Sequence, residues 1–183
     1  KGSSRSLVSD KHRVLMLIGD NLGDFVDAKD IATHWPTYQE AAKKVGKQPT
    51  YQKWRVGRSV LITSSNSEAQ EILDDPNGVF SHYFLYLNTV SKLASGTLSK
   101  DINLKNDLPE AMKKAKDLII IGDKKTVTEK LITFIEKVGP FGTLLLTGHD
   151  IGNSKKLWED SFTEMATSIQ PVLNKYISQK YTN

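Results

Sequence analysis

Between Leu118 and Thr147 the sequence spells strand, helix and strand within roughly 30 residues, and this constrains the fold more than any other feature. Leu118-Ile119-Ile120-Ile121 is an unbroken apolar run ending at Gly122, the mark of a strand buried on both faces. Thr126-Val127-Thr128-Glu129 carries the capping-box pattern, a hydroxyl followed three residues later by a carboxylate. Val127, Leu131, Ile135 and Val138 then share one helical face, with Ile132 at its edge, and Gly139 stands where a helix-ending glycine belongs. Gly142 precedes Thr143-Leu144-Leu145-Leu146-Thr147, a second apolar run, which ends at Gly148-His149-Asp150. The expectation is a right-handed, parallel βαβ unit.

The rest of the chain alternates in the same way. Val14-Leu15-Met16-Leu17-Ile18, ended by Gly19-Asp20-Asn21, reads as another strand buried on both faces. Trp35-Pro36 opens a helix over 37–45, closed by Gly46. Residues 56–62 are a strand, and Ser64-Ser65-Asn66-Ser67 supplies N-caps for a helix to about Leu73. Asp74-Asp75-Pro76-Asn77-Gly78 is turn chemistry. Phe80, Tyr83, Phe84 and Leu87 recur at helical spacing and read as the packed face of a helix over 79–93. Residues 94–107 read as a loop, and 109–116 as a short polar helix. A last helix runs from near Ser154 to about Gln179, with Leu157, Trp158, Phe162, Met165, Ile169 and Leu173 inward and a kink at Pro171. The fold class is α/β, built of parallel-stranded βα units.

At 183 residues the chain suits one domain of ordinary size. It has no cysteine, which excludes disulfides, thiolate metal sites and cysteine nucleophiles; this fits a reducing cytoplasm. The net charge of +4 comes from lysines spread along the chain, without the basic and aromatic clustering that tracks nucleic acid. No apolar run approaches the roughly 18 residues that span a bilayer. The start, Lys1-Gly2-Ser3-Ser4-Arg5, has neither an initiator Met nor a signal-peptide core, and reads as cut from something longer.

Three separated blocks resemble the luciferase-like, flavin-dependent monooxygenases. They are Ile31-Ala32-Thr33-His34-Trp35-Pro36-Thr37-Tyr38; Trp54-Arg55-Val56-Gly57-Arg58-Ser59-Val60 with Ser67-Glu68-Ala69 and Asp75-Pro76; and residues 122–131 with 138–150. The resemblance implies that 29–183 is the carboxyl half of a TIM-type barrel. It further implies an enzyme that uses reduced FMN from a flavin reductase, and dioxygen, to oxidise a small organic substrate. The family's amino-terminal strands, which carry its catalytic His, have no counterpart, so no catalytic residue is assigned. A half-barrel has exposed strand edges, so a homo-oligomer is expected.

Barrel sites lie at the carboxyl ends of strands. Gly122, Asp123 and Thr126 stand at one such end, before a helix amino terminus able to attract phosphate. Gly148 and His149 stand at the next, beside Asp150. These five are the candidate FMN neighbours. The same residues also read as strand ends and a helix-start carboxylate. His34, before Trp-Pro, has no partner in sequence and reads as a packing residue.

Residues 1–28 resemble a different family, the class C acid phosphatases of the haloacid dehalogenase superfamily, through Gly19-Asp20-Asn21-Leu22-Gly23-Asp24-Phe25. That resemblance implies Asp20 and Asp24 as Mg²⁺ ligands and Lys1 as a phosphoryl-steadying lysine. The superfamily's Asp nucleophile belongs on an earlier strand, which is not in this sequence. Two alternatives to the monooxygenase therefore stand: a Mg²⁺-dependent phosphomonoesterase, and a non-catalytic binding or structural module.

Overall fold

A computed structural model describes residues 27–96, 104–149 and 154–181. The 14–18 run, Lys1, Asp20, Asp24 and Asp150 lie outside the described residues. Seven α-helices are described: α1 (Ala28–Lys44), α2 (Asn66–Asp74), α3 (Val79–Ala94), α4 (Leu104–Leu118), α5 (Lys124–Val138), α6 (Lys155–Glu164) and α7 (Gln170–Tyr181). A π-helical turn, Met165–Ile169, joins the last two. The strands are β1 (Arg55–Arg58), β2 (Val60–Ile62), β3 (Ile120–Gly122) and β4 (Thr143–Leu146).

All strand pairing is parallel. β1 pairs with β4, from Arg55↔Thr143 to Arg58↔Leu146, and β2 with β3, from Val60↔Ile120 to Ile62↔Gly122. β1 and β2 are one extended segment interrupted at Ser59. The carbonyls of Trp54 and Arg58 accept from Gly142 and Thr147, whereas that of Ser59 accepts from Ile120, each at 3.0 Å. Successive carbonyls on an extended chain point to opposite edges. The β1–β2 segment therefore runs between β4 and β3.

This order adds what the βαβ expectation left open. β3 and β4, joined through α5, are not neighbours as consecutive barrel strands would be; the earlier segment separates them. Gly142 permits this arrangement, because any Cβ there would overlap the backbone of Gln52.

The pleat divides the core. Val60, Ile62 and Ile120 enter one cluster with Ile31 of α1, Leu131 of α5 and Ile169 of the π turn. Leu61, Ile119 and Ile121 enter another with Leu73 of α2, Phe80 of α3, Ala111 of α4 and Trp158 of α6. Alternate residues of β2 and β3 thus bury opposite faces under helices, as their continuous apolar runs require. β4 does not follow. Its outer edge has no described strand, and Leu145 is 49% exposed. The fully buried strand expected at 143–147 is a half-exposed edge strand.

Three helix starts differ from expectation. α5 begins at Lys124, with Asp123 as N-cap; the Thr126–Glu129 capping box does not form, because Asp123 already takes the Thr126 N–H. α1 begins at Ala28 and runs through Pro36 rather than starting after it. An internal proline costs about 3 kcal/mol. Burial of Ile31 and the stacking of Trp35 on Trp54, with centroids 5.4 Å apart, hold the helix across it. α4 extends from Leu104 to Leu118 and includes Pro109, with Ala111 and Ala115 fully buried against the second face. The capping serines behave as read. Ser65 Oγ accepts from Glu68 N at 3.2 Å, and Glu68 accepts from Ser64 N at 2.8 Å. The disturbance expected at Pro171 takes the form of the π turn just before it, which accommodates a residue lacking an N–H. Phe162, expected inside, is 41% exposed.

Candidate functional site

Parallel strands end on one side of a sheet, and the five candidate residues lie at those ends. They form two groups. In the first, Asp123 Oδ1 accepts from Thr126 N at 2.7 Å and Oδ2 from Asn66 Nδ2 at 3.1 Å. Asn66 Oδ1 in turn accepts from Asp123 N at 3.0 Å. Pairing of β2 with β3 sets up this exchange by placing the first turns of α2 and α5 side by side. Gly122 has φ +154°, and a Cβ there would lie 2.8 Å from Asn66 Oδ1 and from Thr126 Cγ2. The Thr126 N–H, then the Thr126 hydroxyl, hold the Asp123 carboxyl below its ordinary range. It is a charged cap.

The second group centres on His149. Its Nε2 lies 2.9 Å from Ser59 Oγ. Tyr83 and Phe80 meet the imidazole at centroid distances of 4.6 and 5.2 Å, both edge-on, and Trp158 lies at 6.5 Å. Burial pushes the imidazole pKa down, which favours the neutral ring. Gly148 has Phe162 Cζ 3.8 Å from where a Cβ would sit, an ordinary contact, so space alone does not demand glycine there.

The two groups are not level. β3 ends opposite Ile62 and β4 opposite Arg58, four residues apart along the central segment, or about 13 Å at the rise of a strand. Sequence reasoning singled out neither Asn66 nor Ser59 for a site. Asn66 stood among cap candidates, and Ser59 inside a strand pattern. No local signal marks either, because their partners lie 57 and 90 residues away.

The donor chemistry can be tested against FMN. Beside His149 the fit is good. Trp158 Nε1 is a buried donor with no acceptor among the described residues, and the surrounding rings are aromatic. At the α5 terminus the residues do not fit a phosphate as they stand. The anionic Asp123 occupies the Thr126 N–H, and Lys124 is paired with Glu164 at 2.8 Å. His34 is exposed on α1, apart from both groups. Among the described residues, no group of three His, Asp or Glu side chains could hold a metal ion, and no helix is long and apolar enough to cross a membrane.

A separate apolar groove of about 280 Å³ lies on the other face of the edge strand. Leu144 and Leu146 of β4, Met165 and Ala166 of the π turn, and Leu173 and Asn174 of α7 line it.

Short parallel strands with helices on both sides, and polar side chains gathered at strand ends, define an α/β fold. The fold matches the oxygenating constituent of 3,6-diketocamphane monooxygenase from the CAM plasmid of Pseudomonas putida, a type II Baeyer-Villiger monooxygenase determined with FMN. The TM-score is 0.62 at 24% identity, over 80% of this chain and 41% of that one. It also matches the monooxygenase RslO1 from Streptomyces bottropensis, with TM-score 0.50 and 15% identity over 82% of this chain and 40% of that one. In sequence, the chain is 25% identical over 140 residues to 3,6-diketocamphane 1,6-monooxygenase of Pseudomonas putida, covering 75% of this chain and 37% of that protein. No family model matches. The chain spans less than half the length of these relatives.

Proposed function

We propose that residues 29–183 are part of a luciferase-like, FMN-dependent monooxygenase that oxidises a small organic substrate with dioxygen, taking reduced FMN from a flavin reductase. One observation carries the reading: the sequence likeness to 3,6-diketocamphane 1,6-monooxygenase coincides with a fold likeness to the FMN-bound oxygenating constituent of 3,6-diketocamphane monooxygenase. When bound, reduced flavin supplies the chemistry that activates dioxygen. Gly122, Asp123, Thr126, Gly148 and His149 are its proposed neighbours, with the ring on the His149 side. There Tyr83, Phe80 and Trp158 keep water from the imidazole, while Ser59 fixes its orientation. Asp123 adjoins the site by position and is not assigned as a phosphate ligand.

The reading includes the half-barrel, completed by further strands at its open edges, and self-association of the chain as one way of supplying them. The test is a titration of the purified chain into FMN, following flavin fluorescence, with light scattering on the same sample. Saturable quenching supports the flavin site. Well-folded protein that leaves FMN fluorescence unchanged overturns it and favours a non-catalytic module. A stable monomer removes self-association.

A further inference from the structure

The groove beside β4 has the volume and the lining of a small-molecule site. The strand contributes Leu144 and Leu146, and the carboxyl-terminal helices contribute a row, Phe162, Ala166, Gln170 and Asn174, spaced four residues apart. Ala166, the smallest side chain of that row, belongs to the π turn and is exposed. Its single methyl leaves open the space that a larger side chain would fill. Turns of this kind recur at functional sites. At about 280 Å³ the groove lies near the lower end of the range for ligand pockets. A cavity of about 150 Å³ lined by aliphatic and aromatic side chains takes one benzene ring, so this groove has room for two.

The lining also sets the charge of the occupant. Among the described residues, no side chain that lines the groove is charged. Glu136 and Lys180, which lie on the helices that contribute Ile135 and Ile177, are paired with each other at 2.6 Å. Arg58, across from Leu146, turns its guanidinium onto the ring of Phe134. An ionised ligand would therefore give up its water without gaining a counter-charge. The polar members of the row are two carboxamides, Gln170 and Asn174, one helical turn apart. Each offers an N–H donor and a carbonyl acceptor, and so suits either a hydroxyl or a carbonyl oxygen. The remaining surface is apolar, and covering it with an apolar body is favourable.

We propose that this groove binds a small, neutral, apolar molecule of up to two rings that carries one hydroxyl or carbonyl oxygen. The rings lie against Leu144, Leu146 and Phe162, and the oxygen is held by Gln170 or Asn174. The site uses none of the five residues named as flavin neighbours, and the proposal is independent of the flavin reading. Phe162 stands between the two regions, because it also stacks on Trp158 with centroids 5.5 Å apart.

The test is a titration of the full chain with 2-naphthol, following its fluorescence and the methyl resonance of Met165 in methionine-labelled protein, assigned through Met165→Leu. Saturable binding that moves the Met165 methyl, which borders the groove, is the expected result. Ala166→Phe, with unchanged helical circular dichroism, should weaken it at least about tenfold by filling the space. Gln170→Met/Asn174→Leu should weaken 2-naphthol about three- to tenfold, the value of one hydrogen bond, while naphthalene binds as before. The anion 2-naphthoate should bind at least about tenfold more weakly than 2-naphthol. Should Ala166→Phe fail to fold, the amide double variant and the naphthoate comparison still decide. An unmoved Met165 resonance overturns the proposal and leaves the groove to a protein segment or a second copy. Undiminished binding to folded Ala166→Phe, or equal binding of 2-naphthoate, overturns it as well. FMN titration of Ala166→Phe should match that of the unaltered chain, so loss of the groove and loss of the flavin site are read separately.

Discussion

Ser59 Oγ and His149 Nε2 lie 2.9 Å apart, joining the break between β1 and β2 to the segment that leaves β4, ninety residues further along the chain. Ser59 is 3% exposed, so water cannot readily replace the hydroxyl when it is removed. Ser59→Ala should lower unfolding free energy by about 1 kcal/mol, the usual net value of such a bond. Urea denaturation of the two proteins at one pH measures it.

The imidazole also sets a pH dependence. Burial depresses the folded-state pKa of His149 below the ordinary histidine value of about 6.5. Between the two values the unfolded chain binds a proton that the folded chain does not. The neutral ring's contribution is therefore fully present above about 6.5 and declines as pH falls through that window. His149→Gln, which retains a hydrogen-bonding side chain but cannot titrate, should flatten the fall in stability between pH 7 and pH 5. Equal slopes for the two proteins would refute it.

Gly122 has little room for a side chain. A methyl group there would meet Asn66 Oδ1 and Thr126 Cγ2 at 2.8 Å, at a φ of +154° that side chains avoid. Gly122→Ala should cost about 1–3 kcal/mol from backbone strain alone. Thermal unfolding reads the loss, and Gly148→Ala, whose methyl would make only an ordinary 3.8 Å contact with Phe162 Cζ, serves as the milder comparison.

Asp123→Asn separates phosphate recognition from ring recognition. The amide still caps α5 but removes the negative charge that faces any incoming anion. If the flavin phosphate lies at that terminus, FMN affinity should rise about threefold while riboflavin affinity stays constant. Parallel changes in both, or none, would place the phosphate elsewhere.

Phe134 lies under the Arg58 guanidinium, 4.8 Å from centroid to Cζ, in a position where Arg58 is 5% exposed. Phe134→Ala should destabilise the fold by about 3–5 kcal/mol, through the lost ring and the cavity it leaves. Phe134→Leu refills most of that space without the π face and should cost less. Chemical denaturation of both variants separates packing from the cation–π contact.

What was legible in the sequence followed from local chemistry. The apolar runs within 56–62 and at 118–121 declared strands covered on both sides, because each residue had to be apolar whichever face it met. Ser65 was legible as a cap since its partner is only three residues on. Thr126 shows the limit of such motifs: two cap signals overlapped, and Asp123, directly after the strand, took the amide first. α1 passed through Pro36 because the stacking of Trp35 on Trp54 is tertiary and leaves no trace in local pattern. The two candidate groups at the strand ends were half legible for the same reason. Gly122, Asp123 and His149 announce themselves at strand ends, whereas Asn66 and Ser59 join them only through strand pairing.

The π turn at Met165–Ile169 fixes the phase of the long carboxyl-terminal helix. Met165, Ile169 and Leu173 are all buried at spacings of four residues, a repeat that drifts steadily around an ordinary α-helix and stays in line where the helix is wider. Deleting one residue from this turn would restore regular hydrogen bonding but rotate all that follows by about 100°. Leu173 would leave the core and the hydroxyl of Tyr176 would lose Glu136, its partner at 2.6 Å. The single extra residue thus acts as a register mark. It couples the choice of side chains before Pro171 to those after it, and makes this stretch intolerant of length change even though its outward face is free to vary.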